Sequence, residues 1–320
     1  MPAAKEYPPY VTYDVVGRRP SMLLQAYPRP TFNRDENYYP INALLSPHFA
    51  SEDENRKFGA ATFCAFLEDT VEVEHCLVIP AIVAMRRVPY VPPPEVEQDL
   101  YKIATDEGYH AEQAFHFLAD LRGYFGLTMS DEHRAPLFLR RLDQQRAWEP
   151  DPVRRDLITV MNGVVTETRI SIELGKFASD SYLGKSVREL CHSHAEDEQI
   201  HSSQFRALGR WLWESFDADM KAAAAKFMTD STIARSIPDV ARIARLVHQA
   251  TGRSIRESRR LVYSLYNEEI LLKDMLVAAQ PTVSFFKHLG VGEYEAFEGA
   301  LERETQRLAA ELAAQRVECS

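Results

Sequence analysis

The sequence predicts an all-α fold, and three observations carry that expectation. Apolar residues recur at spacings of three and four through most of the chain after Ser51, which is the period of a helix with one buried face. Runs of alternating Val, Ile and Thr, the mark of half-buried strands, are missing. Four of the helical stretches also carry acids inside their apolar stripes, a pattern that packing alone does not produce.

The elements follow in chain order. Residues 1–50 are rich in Pro and Tyr (YPPY, AYPRP, NYYP) and show no helical period, so they read as an extended arm over the body or as a disordered tail. Residues 51–320 read as a single domain. A helix is expected from Ser51 to Met85, stopped by VPYVPPPE at 88–95, and a second runs from Glu95 to about Arg122. A shorter piece covers 136–148. Pro152 opens a long helix to about Asp180, since a first-turn proline gives up an N–H that has no partner there anyway. Gly184 separates it from a helix at about 186–214. The C-terminal third is helical again, with breaks expected at Pro238, Gly252, Pro281 and Gly290.

The stripes hold the chemistry. In the second helix, Leu100, Ile103, Ala104, Ala114, Phe117 and Leu118 share their face with Glu107 and His110, a Glu-x-x-His pair. Val160, Gly163, Val164, Ile170 and Leu174 share theirs with Glu167, and Val187, Leu190, Cys191, Phe205 and Leu208 share theirs with His194, Glu198 and His201. The last two repeat Glu-x-x-His. In the first helix Glu74 lies with Leu67, Thr70, Val71, Leu77, Val78 and Ala81, whereas Glu72 lies with Glu68, Asp69, His75 and Cys76; Glu74 is therefore the inward acid. Glu74 precedes the first Glu-x-x-His by 33 residues and Glu167 precedes the second by 31. Two similar halves result.

An ionised carboxylate buried without a partner costs several kcal/mol, so four in one core require a compensating cation. A Glu from each of two helices and a Glu-x-x-His from each of two others is the ligand pattern of dimetal carboxylate bundles with a ferritin-like four-helix core. Here additional C-terminal and flanking helices surround that core. Two Fe(II) ions at +4 offset four carboxylates at −4, and iron or manganese suits mixed carboxylate and imidazole donors. Glu68, Glu72, His75, His192 and Glu196 are expected on solvated faces. Asp106 and Asp197, each preceding a ligand Glu, are expected either to orient a histidine or to sit at the surface. His194, one turn before Glu198, is surplus to the usual six ligands and can reach the same metal.

Charge and cysteine usage exclude other classes. The net charge of −10 disfavours nucleic acid and acidic membrane surfaces, and no stretch of about 18 apolar residues offers a membrane span. Cys64, Cys76, Cys191 and Cys319 show no CxxC spacing, and the N-terminus has no signal-like region, so a reduced, cytoplasmic protein is expected. Cys64, Cys76 and Cys191 read as packing residues. Seven arginines between 235 and 260 (Arg235, Arg242, Arg245, Arg253, Arg256, Arg259, Arg260) read as a solvated face, or in part as a dock for a reductase or an anionic substrate group.

Across about residues 60–210, the motifs FLEDTVEVEHCLVIPA, DEGYH, the TE of VVTETRI, and HAEDEQIH together resemble the p-aminobenzoate N-oxygenase family of non-haem di-iron enzymes. That family adds a histidine to the usual ligand set. The resemblance places metal ligands at Glu74, Glu107, His110, Glu167, His194, Glu198 and His201, and Pro80 after Glu74 also fits. It implies a two-iron cofactor, O2 as co-substrate, and oxygenation of a small aromatic amine toward hydroxylamine, nitroso and nitro products in antibiotic or other natural-product biosynthesis. It further implies an external electron donor and a homodimer. The ligand pattern alone also admits a di-iron hydroxylase or desaturase acting on carbon, or a ferritin-like iron-binding protein.

Overall fold

The computed structural model describes residues 6–14, 30–128, 135–291 and 297–318. The remaining parts of the expected arm, and Cys319, lie outside the described residues. The fold is all-helical, with no strand among the described residues and one isolated bridge between Asn37 and Leu183.

Helix α1 (Glu52–Val73) starts at Ser51, whose hydroxyl accepts from the Glu54 N–H, with three acids in the first turn favoured by the helix dipole. The expected single helix to Met85 is instead interrupted by a π turn (Glu74–Val78) before α2 (Ile79–Ala84). Pro80 explains the interruption. It has no N–H to offer the carbonyl one turn back, and the helix widens there. α3 (Pro94–Phe125) begins on the proline run and ends at Gly126, whose positive φ of 62° closes the C-terminus.

After α4 (Leu137–Trp148), the Asp151 carboxylate caps α5 (Pro152–Ser179) by accepting from the Val153 and Arg154 N–H groups. A short turn, pinned where the Gly184 N–H donates to Asn37 O at 2.7 Å, leads to α6 (Lys185–Ser215). The chain continues through α7 (Ala218–Ser236), α8 (Val240–Thr251), α9 (Ile255–Leu265), α10 (Glu268–Leu289) and α11 (Phe297–Glu318). Pro238, Gly252 and Gly290 fall between helices as expected, but Pro281 lies inside α10. The carbonyl that Pro281 leaves unpaired belongs to Val277, a residue on the exposed face, where water can satisfy it.

α5 packs most extensively on α6, α1 packs on α3, and the π turn touches both α3 and α5. Close approach is allowed by small residues: a Cβ on Gly163 of α5 would stand 2.5 Å from the Ala81 Cβ and 3.1 Å from the Phe205 ring. One apolar cluster, including Val73, Leu77, Ile103, Val164 and Phe205, lies on one side of the carboxylate layer. A second, including Phe63, Phe117, Ile170 and Cys191, lies on the other.

Candidate metal centre

All seven sequence-selected residues meet in that layer. Glu74 comes from the π turn, Glu107 and His110 from α3, Glu167 from α5, and His194, Glu198 and His201 from α6. The four glutamates and His201 are 0% exposed and His194, the most open, 7%.

The donor atoms form two overlapping groups, each gathered within 4.8 Å. One comprises Glu74, Glu107, His110, His194 and Glu198; the other comprises Glu107, Glu167, Glu198 and His201. Glu107 and Glu198 belong to both groups and would be within reach of an ion held by either, and His194 falls on the Glu74 side.

The donor set fits a metal pair. Both oxygens of Glu74 and Glu167, Oε1 of Glu107, Oε2 of Glu198 and Nδ1 of His201 are buried without a hydrogen-bond partner, a costly state that a cation relieves. His201 Nδ1 stands 2.8 Å from Glu107 Oε1, yet the pair lacks hydrogen-bond geometry, as expected of two atoms facing a shared ion. His194 Nε2 lies 3.0 Å from Glu198 Oε1 and 3.9 Å from Glu74 Oε1. His110 Nδ1 lies 3.0 Å from Glu107 Oε2, while its Nε2–H points to Asp197 Oδ2 at 3.3 Å.

Without metal the cluster sorts its protons. Burial, then the neighbouring carboxylates, push Glu74 and Glu167 well above the usual carboxylate range. Burial also acts upward on Glu107 and Glu198, but the imidazoles beside them win, holding Glu107 at about 2 and Glu198 well below its ordinary value. Burial opposes charge on His110, yet hydrogen bonds to Asp197 and Glu107 raise it to about 9; His201 is raised well above its ordinary value against the same burial by Glu107. His194 is lowered, by burial and then by the His110 charge.

Asp106 and Asp197 are buried, which settles their two open readings in favour of contact with the histidines. They act crosswise: Asp197, beside Glu198, meets His110, and Asp106, beside Glu107, lies 3.5 Å from His201 Nε2.

Several expected surface residues are placed differently. His75, His192 and Glu196 are exposed, but Glu68 and Glu72 are half-buried, and Glu68 pairs with Arg122 and Arg242. Cys64 and Cys191 pack in the core, whereas Cys76 is exposed on the π turn rather than packed. Arg256, Arg259 and Arg260 are exposed as expected, but Arg242 reaches inward to Asp69 at 2.5 Å. Arg235 also faces inward, its guanidinium 4.4 Å from the centre of the Phe138 ring.

Arg235 lines a cavity of about 530 Å³ together with Phe66, Thr70, Val73, Phe138, Ile170 and Phe177. Thr70 precedes Glu74 by one turn and Ile170 follows Glu167 by one turn, so one wall of the cavity adjoins the carboxylate layer. The neighbouring Arg169 is paired with Glu173, but Arg235 Nε is buried without a hydrogen-bond partner. Burial, then the Arg169 charge, push its pKa down to about 10.

Comparison with models of known families and with curated proteins gave no match. No helix among the described residues is long and apolar enough to cross a membrane.

Proposed function

We propose that this chain is a ferritin-like di-iron oxygenase of the p-aminobenzoate N-oxygenase type, using O2 to oxidise the nitrogen of an aromatic amine. The observation that carries the reading is the pair of overlapping ligand groups sharing Glu107 and Glu198. With donors from the π turn, α3, α5 and α6, the chain matches the six-ligand dimetal pattern and adds His194. When bound, the iron pair supplies the redox chemistry with O2. An external electron donor supplies the reducing equivalents, and a homodimer is the assembly proposed with this type.

The protein's own residues supply orientation and dryness. The apolar clusters on both sides of the layer exclude water from the carboxylates, which strengthens their hold on cations. Asp197 holds His110 by its outer nitrogen and leaves Nδ1 turned toward Glu107 Oε2, the side on which a metal would be held. In the adjoining cavity, Phe66, Phe138 and Phe177 supply aromatic walls for a ring, and the Arg235 guanidinium, whose buried Nε lacks a hydrogen-bond partner, offers a charge to an acidic substituent at the end of the ring away from the amine. That combination favours substrate oxidation over iron storage, which needs no aromatic-walled cavity.

The test is anaerobic reduction of the iron-loaded protein, exposure to O2, and product analysis with a panel of aryl amines with and without a carboxylate. N-oxidised products, with acidic amines turned over fastest, support the reading. Slow ferric mineral growth without any amine consumed overturns it, and ring or side-chain hydroxylation redirects it to carbon chemistry.

A further inference from the structure

Besides His194, which stands on one side only, the two halves of the metal centre differ in one further respect. On one side Asp197 meets its histidine directly, Oδ2 to His110 Nε2 at 3.3 Å. On the other a phenol from outside the bundle is inserted beside the equivalent contact. The Tyr13 hydroxyl donates to Asp106 Oδ2 at 2.5 Å, and its oxygen lies 2.9 Å from His201 Nε2. Tyr13 is 1% exposed and packs with the core cluster that includes Val73 and Ile103, so its hydroxyl is held at this depth by packing.

The hydroxyl has one proton to give and lone pairs to accept with. With that proton on Asp106, the oxygen can only accept from His201 Nε2–H. Once the ring is neutral, as metal binding requires, the tautomer with Nδ1 bare is thereby fixed, and Nδ1 is the atom 2.8 Å from Glu107 Oε1 and 3.5 Å from Glu198 Oε1. The rest of segment 6–14 is laid down beside it: the Val11 N–H donates to the Ser203 hydroxyl at 2.9 Å, the Tyr10 hydroxyl donates to Asp99, and Tyr7 packs on Trp211.

We propose that Tyr13 of the N-terminal segment is a positioning residue of the metal centre, completing an Asp106–Tyr13–His201 relay that orients His201 and makes its metal position depend on the docked arm. The proposal rests on the dimetal reading. It makes the two metal positions unequal, the Glu167–His201 position depending on residues 6–14 and the Glu74–His110–His194 position not.

Co(II) titration of the full-length unmodified chain, Tyr13→Phe and Tyr10→Phe, followed by visible absorption, tests it together with ¹⁵N signals of the His201 ring in the Zn(II)-loaded proteins. Tyr13→Phe removes one oxygen and keeps the ring. It is expected to weaken one of two Co(II) ions by about 10–100-fold, the usual cost of losing a partner behind a metal ligand, and to shift the His201 Nε2 signal. Tyr10→Phe, which removes only the bond to Asp99, is expected to do neither. Equal effects from both variants would reduce Tyr13 to an anchor for the arm and overturn the proposal, as would an unmoved His201 signal with both ions bound as before. If Tyr13→Phe does not fold, a through-space contact between the Tyr13 hydroxyl proton and the His201 ring in the unmodified protein decides the point. Failure of the unmodified chain to bind Co(II) refutes the metal centre itself; failure confined to the Tyr13 contrast refutes this relay alone.

Discussion

Binding of two divalent ions near pH 7 is expected to expel about four protons per chain. The count comes from the cluster's own electrostatics. In the metal-free protein Glu74 and Glu167 are raised well above the usual carboxylate range, His110 is held at about 9 and His201 is raised, whereas Glu107, at about 2, and Glu198 are lowered. A proton on each raised group and none on the lowered ones is the arrangement expected near pH 7, two negative charges offsetting two positive. Metal binding requires four carboxylates and neutral imidazoles, so two protons leave the glutamates and two leave the histidines. Because protons are products, affinity rises with pH. The slope reaches about four decades per pH unit for the ion pair while all four protons are bound, and it slackens as pH approaches the His110 value. Calorimetric titration at pH 7 in buffers of different ionisation enthalpy measures the release. Glu167→Gln is expected to lower it to about three. Release of one proton or fewer by the unmodified protein would refute this charge balance.

Glu74→Gln is expected to lose at least one of the two ions by elemental analysis, whereas Glu72→Gln keeps both, since only Glu74 belongs to the buried donor groups. His194→Ala is expected to retain two ions, because losing a neutral imidazole leaves the charge balance intact, while yield of the N-oxidised product falls by about tenfold or more. Product analysis against the parent protein checks it; unchanged yield would make His194 a bystander. Gly163→Ala places a methyl group 2.5 Å from the Ala81 Cβ, and the forced separation of α5 from α2 is expected to cost about 1–3 kcal/mol in denaturant unfolding. Parent-like stability would show that the contact relaxes freely.

The burial and clustering of the seven candidate residues were legible in the sequence because each shares the helical period of the apolar residues around it. The choice of Glu74 over Glu72 was reachable for the same reason. The π turn was not read, although Pro80 was its visible signal: a period of 3.6 carries the eye across a one-residue widening. Tyr13 lies in a segment without any period, so nothing in the sequence registers it against His201. The inward turn of Arg235 and Arg242 was missed because long side chains can reach either way from a helix surface. Only the acids they approach, Asp69 and Glu68 for Arg242, decide the direction.

The most direct test of the metal centre is its occupancy. The full chain is loaded with Fe(II) without oxygen and freed of excess metal, then assayed by elemental analysis and X-ray absorption at the iron edge. About two ions per chain, coordinated by nitrogen and oxygen only, is the expected result. Less than about half an ion per chain, or sulfur among the ligands, would contradict the assignment of Glu74, Glu107, His110, Glu167, His194, Glu198 and His201 as its ligands.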